Sequence, residues 1–198
     1  MSSMTLPASG IPHPVRIALA NARTSELYAL ESVDDAARFG PQAAAQVAAV
    51  CGEPLIYDRL FAGRFGGRPY QLADGAGFLA WAESGWRANT YFVFALTHAE
   101  AGIVGAIDIK SCDVSGAEIG YWLSANHSGI MTNAVRCIAD LAGSAGYRGL
   151  YAVTDPDNAR SQAVLTRAGF VADGTHERSG EAYRLFRLAP GESPGSSA

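Results

Sequence analysis

Charge is scarce in this chain. Only 17% of its 198 residues are charged, and 15 Lys+Arg against 19 Asp+Glu leave a net charge of -4. Without a basic excess, a general nucleic-acid binder is disfavoured. Disorder is excluded as well, because 48% of the residues are hydrophobic and disordered chains are poor in apolar residues. Cysteine is scarce too: Cys51, Cys112 and Cys137 show no Cys-x-x-Cys spacing. An odd, sparse set reads as buried or free thiols in a reducing compartment. Long apolar runs are missing. The Ala-rich stretch 42–51 is too short to span a bilayer. The N-terminus lacks a basic segment followed by an apolar one, so no secretory signal is read there. These absences point to a cytoplasmic protein without membrane contact. No charge run, linker or solenoid-period repeat divides the chain. Its length suits one domain, which buries about 70% of the unfolded surface and needs neither disulfides nor a structural metal.

What is present gives the organisation. Residues 1–14 hold three prolines and small polar residues, and read as a flexible arm. Residues 189–198 carry too little apolar surface to offset the entropy of ordering, and read as a disordered tail. One folded unit, 15–188, lies between. Its first half reads as mainly helical after a short strand at Val15–Leu19. Ser32–Phe39 begins with a capping residue, and Pro41 suits the first turn of a helix over 42–51. Glycines and a proline make 63–69 a loop, and Asp74 can cap a helix carrying Phe78, Leu79, Trp81 and Trp86. Those tryptophans fit core packing or a pocket wall.

The second half changes rhythm. Strands are expected at 90–96, 103–110 and 117–123, a helix at 130–145 and a strand at 149–154. Asp157 or Asn158 then caps a short helix ended by Gly169. Strands at 170–174 and 181–188 close the unit. The order implies an α/β (α+β) fold, a mixed sheet with helices packed on it. The strand 117–123 runs into a helix N-terminus, which offers unpaired N–H groups to phosphate.

Four motifs in order carry a resemblance: Ala117-Glu-Ile-Gly-Tyr-Trp-Leu123, Gly129-Ile-Met-Thr-Asn-Ala134, Asn158-Ala-Arg-Ser161 and Gly169-Phe170. Counted from Asn158, the serine falls at +3 and the glycine and phenylalanine at +11 and +12. Residues 90–188 thereby resemble the GNAT superfamily of acyl-CoA-dependent N-acyltransferases, and most of all its ribosomal-protein N-terminal acetyltransferases. The resemblance implies a mostly antiparallel sheet in which a central parallel pair, 117–123 and 149–154, splays apart. Acetyl-CoA would lie in that gap. The backbone of Tyr121, Trp122 and Leu123 would hold its pantetheine arm and polarise the thioester carbonyl. Glu118 would be the general base, although a strand-end carboxylate in a salt bridge fits it equally. Asn158 would contact the pantetheine or cap its helix. Ser161 would also contact the cofactor and would protonate the departing thiolate, unless it is only a first-turn helix serine. Many relatives place a tyrosine acid at +7 from the asparagine; here that position is Leu165.

The phosphate loop departs from the family pattern. Five residues, 124–128, stand where relatives place about seven, and one glycine and an arginine are missing. His127, Ser128, Gly129, Ile130 and Met131 remain as the phosphate-binding candidates, with His127 standing where a glycine is usual. A site this short of basic residues is expected to rely on backbone amides.

The resemblance thus implies transfer of an acetyl group from acetyl-CoA to a primary amine, on a protein N-terminus or a small molecule, by direct attack. No metal is called for, and a homodimer suits the family. The other reading is a catalytically impaired binding protein whose loop no longer holds CoA.

Overall fold

The structure, a computed structural model, describes residues 10–188. The N-terminal half holds β1 (Arg16–Ala20), β2 (Leu27–Ser32), α1 (Ala43–Cys51), α2 (Pro54–Leu60), α3 (Ala62–Phe65) and α4 (Leu72–Ala88). The C-terminal half holds β3 (Phe92–His98), β4 (Gly102–Ile109), β5 (Ala117–Leu123), α5 (Met131–Ser144), β6 (Leu150–Thr154), α6 (Ala159–Arg167), β7 (Val171–Arg178) and β8 (Glu181–Leu188). The strands form one sheet in the order β1-β2-β3-β4-β5-β6-β8-β7. Every pair is antiparallel except β5 with β6. This is the mixed α/β sheet with a central parallel pair that the motifs imply.

Alternation along β3 builds the two faces. Phe92, Phe94 and Leu96 join Ile107, Ile109 and Ile119 on the face covered by α5. Val93 and Ala95 join Val47 and Leu79 beneath α1 and α4. With both faces covered, β3 is an almost unbroken apolar run. Each large side chain buried there contributes about 1.5–3 kcal/mol. Helix α5 docks through Met131, Ala134, Val135, Ile138 and Ala142, the spacing of one helical face. Trp86 belongs to the core, with its indole N–H donating to the Val93 carbonyl at 2.8 Å.

Several expectations are corrected. The first half is mainly helical, as expected, but it also holds an unexpected strand, β2, which pairs with both β1 and β3. Ser32 ends β2, and Asp35 caps a single 3-10 turn at Ala36–Phe39. Proline stands at the first turn of α2, as Pro54, while α1 starts at Ala43, after Pro41. The expected loop 63–69 contains the end of α3, closed by Gly66 in the left-handed region (φ 59°). Asp74 is the third residue of α4, in a reciprocal capping box with Gln71. The strand expected at 170–174 runs on to Arg178. Ile11, in the segment expected to be a loose arm, is buried in the core. The expected tail 189–198 lies outside the described residues.

Candidate active site at the splayed strands

Only the first residues of β5 and β6 pair: Ala117 with Leu150, and Glu118 with Tyr151. Beyond them β5 keeps its β4 neighbour, from Ile119–Ile109 to Leu123–Gly105, and has no strand on its other side. The backbone alternation is fixed by two bonds, Lys110 N–H to the Glu118 carbonyl and Ser124 N–H to the Val104 carbonyl. Even-numbered residues of β5 therefore face β4, and odd-numbered ones face the gap. Tyr121 and Leu123 aim their amides into the gap. Trp122, also named from sequence, turns its amide toward Ala106.

Two helix starts frame the gap. Asn158 caps α6, its Oδ1 accepting from the Ser161 amide at 3.2 Å. Its side-chain N–H groups stay unpaired among the described residues. The Tyr121 hydroxyl reaches across and stands 2.7 Å from Ser161 Oγ. Burial pushes the Tyr121 phenol up to about 12. At the start of α5, the amides of Met131 and Thr132 find no acceptor among the described residues.

The short loop forms a 3-10 turn, Ala125–His127, capped by the Ser124 hydroxyl. Glu53, just before α2, accepts from Ser124 Oγ at 2.6 Å and from the Ala125 amide at 2.8 Å. At the other end of α2, Arg59 pairs with Asp155 and Asp157 beyond β6. Helix α2 therefore ties together the far ends of the two diverging strands. The His127 ring is engaged elsewhere, with Nδ1 2.9 Å from the Tyr28 hydroxyl and the His98 ring beside it. Burial, with help from His98, lowers its pKa. Ser128 is held by its carbonyl, which accepts from Asn21 Nδ2 at 3.1 Å.

Two arginines from distant segments stand beside this loop, which the sequence motif shows as short of cations. The Arg23 stem, in the β1–β2 connection, lies against Gly129, and no carboxylate pairs with Arg23 among the described residues. Arg167, at the end of α6, donates to Thr132 Oγ1 at 3.4 Å. Both were missed in the sequence because the loop motif says nothing about residues so far away along the chain.

Glu118 occupies a different setting from that of a free base. Its two oxygens accept from Lys110 Nζ and from an Arg178 nitrogen, each at 2.6 Å. Burial pushes its carboxyl up, but these two cations outweigh burial and hold it below the ordinary value. The other carboxylate here, Asp108 on β4, went unnoticed in the sequence. It lines a cavity of about 620 Å³ together with Phe78, Trp81, Gly120 and Trp122. Of the two tryptophans that fit core packing or a pocket wall, Trp81 lines that cavity, beside Trp122. Tyr91 stacks on Trp81 with ring centres 4.7 Å apart, and Trp86 is core. Among the described residues there is no group of three or more metal-binding side chains. None of their helices is long and apolar enough to cross a membrane.

A sheet opened at one parallel pair, with helix starts on its rim, defines the class. Residues 30–171 match the model of the acetyltransferase (GNAT) domain family. The chain belongs to that family. No curated protein matches it. Solved structures share the fold. Mycobacterium smegmatis RimJ in complex with CoA-disulfide is 21% identical, over 92% of this chain and 90% of that one, with a TM-score of 0.67. The microcin C7 self-immunity acetyltransferase MccE, in complex with acetyl-CoA and AMP, is 19% identical over 81% and 92%, also at 0.67. The ribosomal-protein-S5-alanine acetyltransferase of Vibrio fischeri is 19% identical over 90% and 98%, at 0.65.

Proposed function

We propose that the protein transfers an acetyl group from acetyl-CoA to a primary amine by direct attack on the thioester. The observation that carries this reading is the opening of β5 from β6 beyond Glu118 and Tyr151. It turns the Tyr121 and Leu123 amides toward a space bordered by Ser161 and Asn158. In this reading those amides hold the pantetheine arm and polarise the carbonyl, which gains negative charge as the amine adds. The free Asn158 amide reaches the same arm. The pyrophosphate lies at the Met131 and Thr132 amides, flanked by Arg23 and Arg167. These arginines favour a working site over an impaired one. The acceptor is a primary amine of a protein N-terminus or a small molecule, and the family relatives, which include ribosomal-protein acetyltransferases and MccE, support both kinds.

Acetyl-CoA at about 100 times its Kd should stabilise the fold by about 2.7 kcal/mol. For a domain of this size that raises Tm by about 5–10 °C. Scanning fluorimetry with acetyl-CoA reads the shift, and thiol release with added amines reads turnover. No shift at millimolar acetyl-CoA would overturn the reading in favour of a binding protein that has lost its cofactor.

Arg23→Gln should weaken acetyl-CoA binding about 10-fold, the scale of one lost hydrogen bond to a charged group. The loss should shrink in high salt, because the exposed guanidinium is screened. Calorimetric titration at two ionic strengths checks both statements. Equal affinity in the variant would remove Arg23 from the site.

A further inference from the structure

Direct attack needs a group that takes a proton from the acceptor, and two carboxylates stand near the splayed strands. Glu118 is saturated, since each of its oxygens is held by a cation. Asp108 is not. Its Oδ1 accepts from the Gly120 amide at 2.8 Å, and no bond to its Oδ2 is found among the described residues. Gly120 makes this possible, because a Cβ there would stand 2.8 Å from Asp108 Oδ1 and 2.9 Å from Lys110 Cε.

The two faces of the sheet separate two tasks. Along β5, Gly120 and Trp122 line the cavity beneath α3 and α4, whose rim Tyr121 also touches, while the Tyr121 hydroxyl reaches Ser161 on α6. A thioester in the gap is therefore open to the cavity on one side and to the Ser161 hydroxyl on the other. The cavity is walled by aromatic rings, Phe78, Trp81 and Trp122 among them. Asp108 shares this lining with those rings and with the charged side chains of Arg64, Asp74 and Lys110.

We propose, resting on the acetyltransferase reading, that Asp108 and not Glu118 accepts the amine proton, and that the cavity admits a primary amine borne on a flat apolar group. The acceptor arrives as an ammonium ion. One proton passes to Asp108, and the freed lone pair forms the C–N bond as the C–S bond breaks. A second proton leaves the nitrogen as the amide forms, and the thiolate gains one to leave as CoA thiol. Asp108 then gives its proton to water.

The electrostatic surroundings agree. Burial pushes the Asp108 carboxyl up to about 6, near the pH at which a base must work. Lys110, just past the end of β4, and the Gly120 amide pull the other way, and Glu118 on β5 adds to the rise. Arg178 on β7 is occupied by Glu118. The Tyr121 phenol on β5 is neutral across this range. Arg64 on α3 and Asp74 on α4 line the same cavity, and Asp74 is paired with Arg68. Nothing on β3 opposite Asp108 titrates, since its register partner is Val93.

The test uses the full chain, carbon-13-labelled at aspartate carboxyls, with phenethylamine as probe. One carboxyl should titrate near pH 6 in the wild type and be missing in Asp108→Asn. Phenethylamine should bind the wild type above that pH and bind Asp108→Asn at least 10-fold more weakly. Thiol release from acetyl-CoA with phenethylamine should rise through the same pH and fall about 100-fold in Asp108→Asn, with the acidic limb gone. In Glu118→Gln the limb should persist. A raised carboxyl pKa makes the fold most stable where that carboxyl is protonated, and stability is lost as pH rises through about 6. Asp108→Asn should therefore raise Tm at pH 8 and change it little at pH 4, a reading of the carboxyl's titration that is independent of turnover. An Asp108 carboxyl titrating as an ordinary aspartate, or probe binding unchanged in Asp108→Asn, overturns the proposal. Titration and binding need no turnover, so they decide even if phenethylamine is not acetylated. Failure of acetyl-CoA to bind is seen separately and strikes the acetyltransferase reading instead.

Discussion

Ser161→Ala lowers turnover by about 100-fold or more, the range of general acid catalysis, while acetyl-CoA affinity changes no more than a few-fold. Tyr121→Phe is expected to follow it part of the way, by about 10-fold, the scale of one hydrogen bond. Both expectations come from the leaving group. A thiolate forming in a gap between strands is poorly solvated and takes a proton from whatever donor faces it. Leu165 stands where many relatives keep a tyrosine acid, and its side chain has no proton to give. Ser161 Oγ is placed at the first turn of α6, and Tyr121 Oη stands 2.7 Å from it. Burial holds the phenol at about 12, so at neutral pH it is a full donor. In the proposed reaction Ser161 would give its proton to sulfur and be resupplied from Tyr121, which would regain a proton from water. Two residues acting as one chain are not additive. The double variant should therefore lose no more than Ser161→Ala alone. Stopped-flow thiol release reads kcat, and calorimetric titration reads binding. If both single variants keep wild-type kcat, the pair is structural and the thiolate is protonated by water.

What could be read in advance depended on how local its cause was. Helix α5 was legible because Ala134, Val135, Ile138 and Ala142 repeat at helical spacing. The parallel pair was legible because Glu118-Ile-Gly-Tyr-Trp and the Asn158–Ser161 spacing stand in family order. Strand β2 was not, because Leu-Tyr-Ala-Leu-Glu-Ser has no β-branched residue and owes its conformation to β3, across the register Leu30–Leu96. Glu118 looked like either a base or a salt-bridge member, and only the fold brings Arg178 to it. Asp108 did leave a trace. On a strand reading Ile-Val-Gly-Ala-Ile-Asp-Ile, a carboxylate shares a face with Val104 and Ala106, and a charge on a covered face is expensive unless it has a use. Arg23 left no trace, because what makes it relevant is the return of Gly129 to the β1–β2 connection.

That return makes Gly129→Ala the most damaging small substitution at the cofactor side. The expected loss is about 2–6 kcal/mol, which for this chain length is a Tm about 5–20 °C lower. Two costs combine. Gly129 sits at φ 107°, which L residues rarely adopt, and forcing it costs about 1–3 kcal/mol. The new Cβ would also stand 2.4 Å from Asn21 Oδ1 and 3.1 Å from the Arg23 stem. Asn21 cannot step aside freely. It is 3% exposed, donates to the Ser128 carbonyl at 3.1 Å and accepts from the Arg23 amide at 2.9 Å. Displacing it adds about 1–3 kcal/mol of overpacking. Because the same movement shifts Arg23 and the start of α5, acetyl-CoA should bind at least as weakly to Gly129→Ala as to Arg23→Gln. Gly63→Ala is the control, since a Cβ there meets nothing within 4 Å and helix α3 should gain about 0.5–1 kcal/mol. Thermal melts and acetyl-CoA titrations of both variants give the comparison. A Gly129→Ala protein that melts and binds like the wild type would mean that the shortened loop does not depend on its contact with Asn21 and Arg23. The cations flanking the cofactor site would then have to be sought elsewhere.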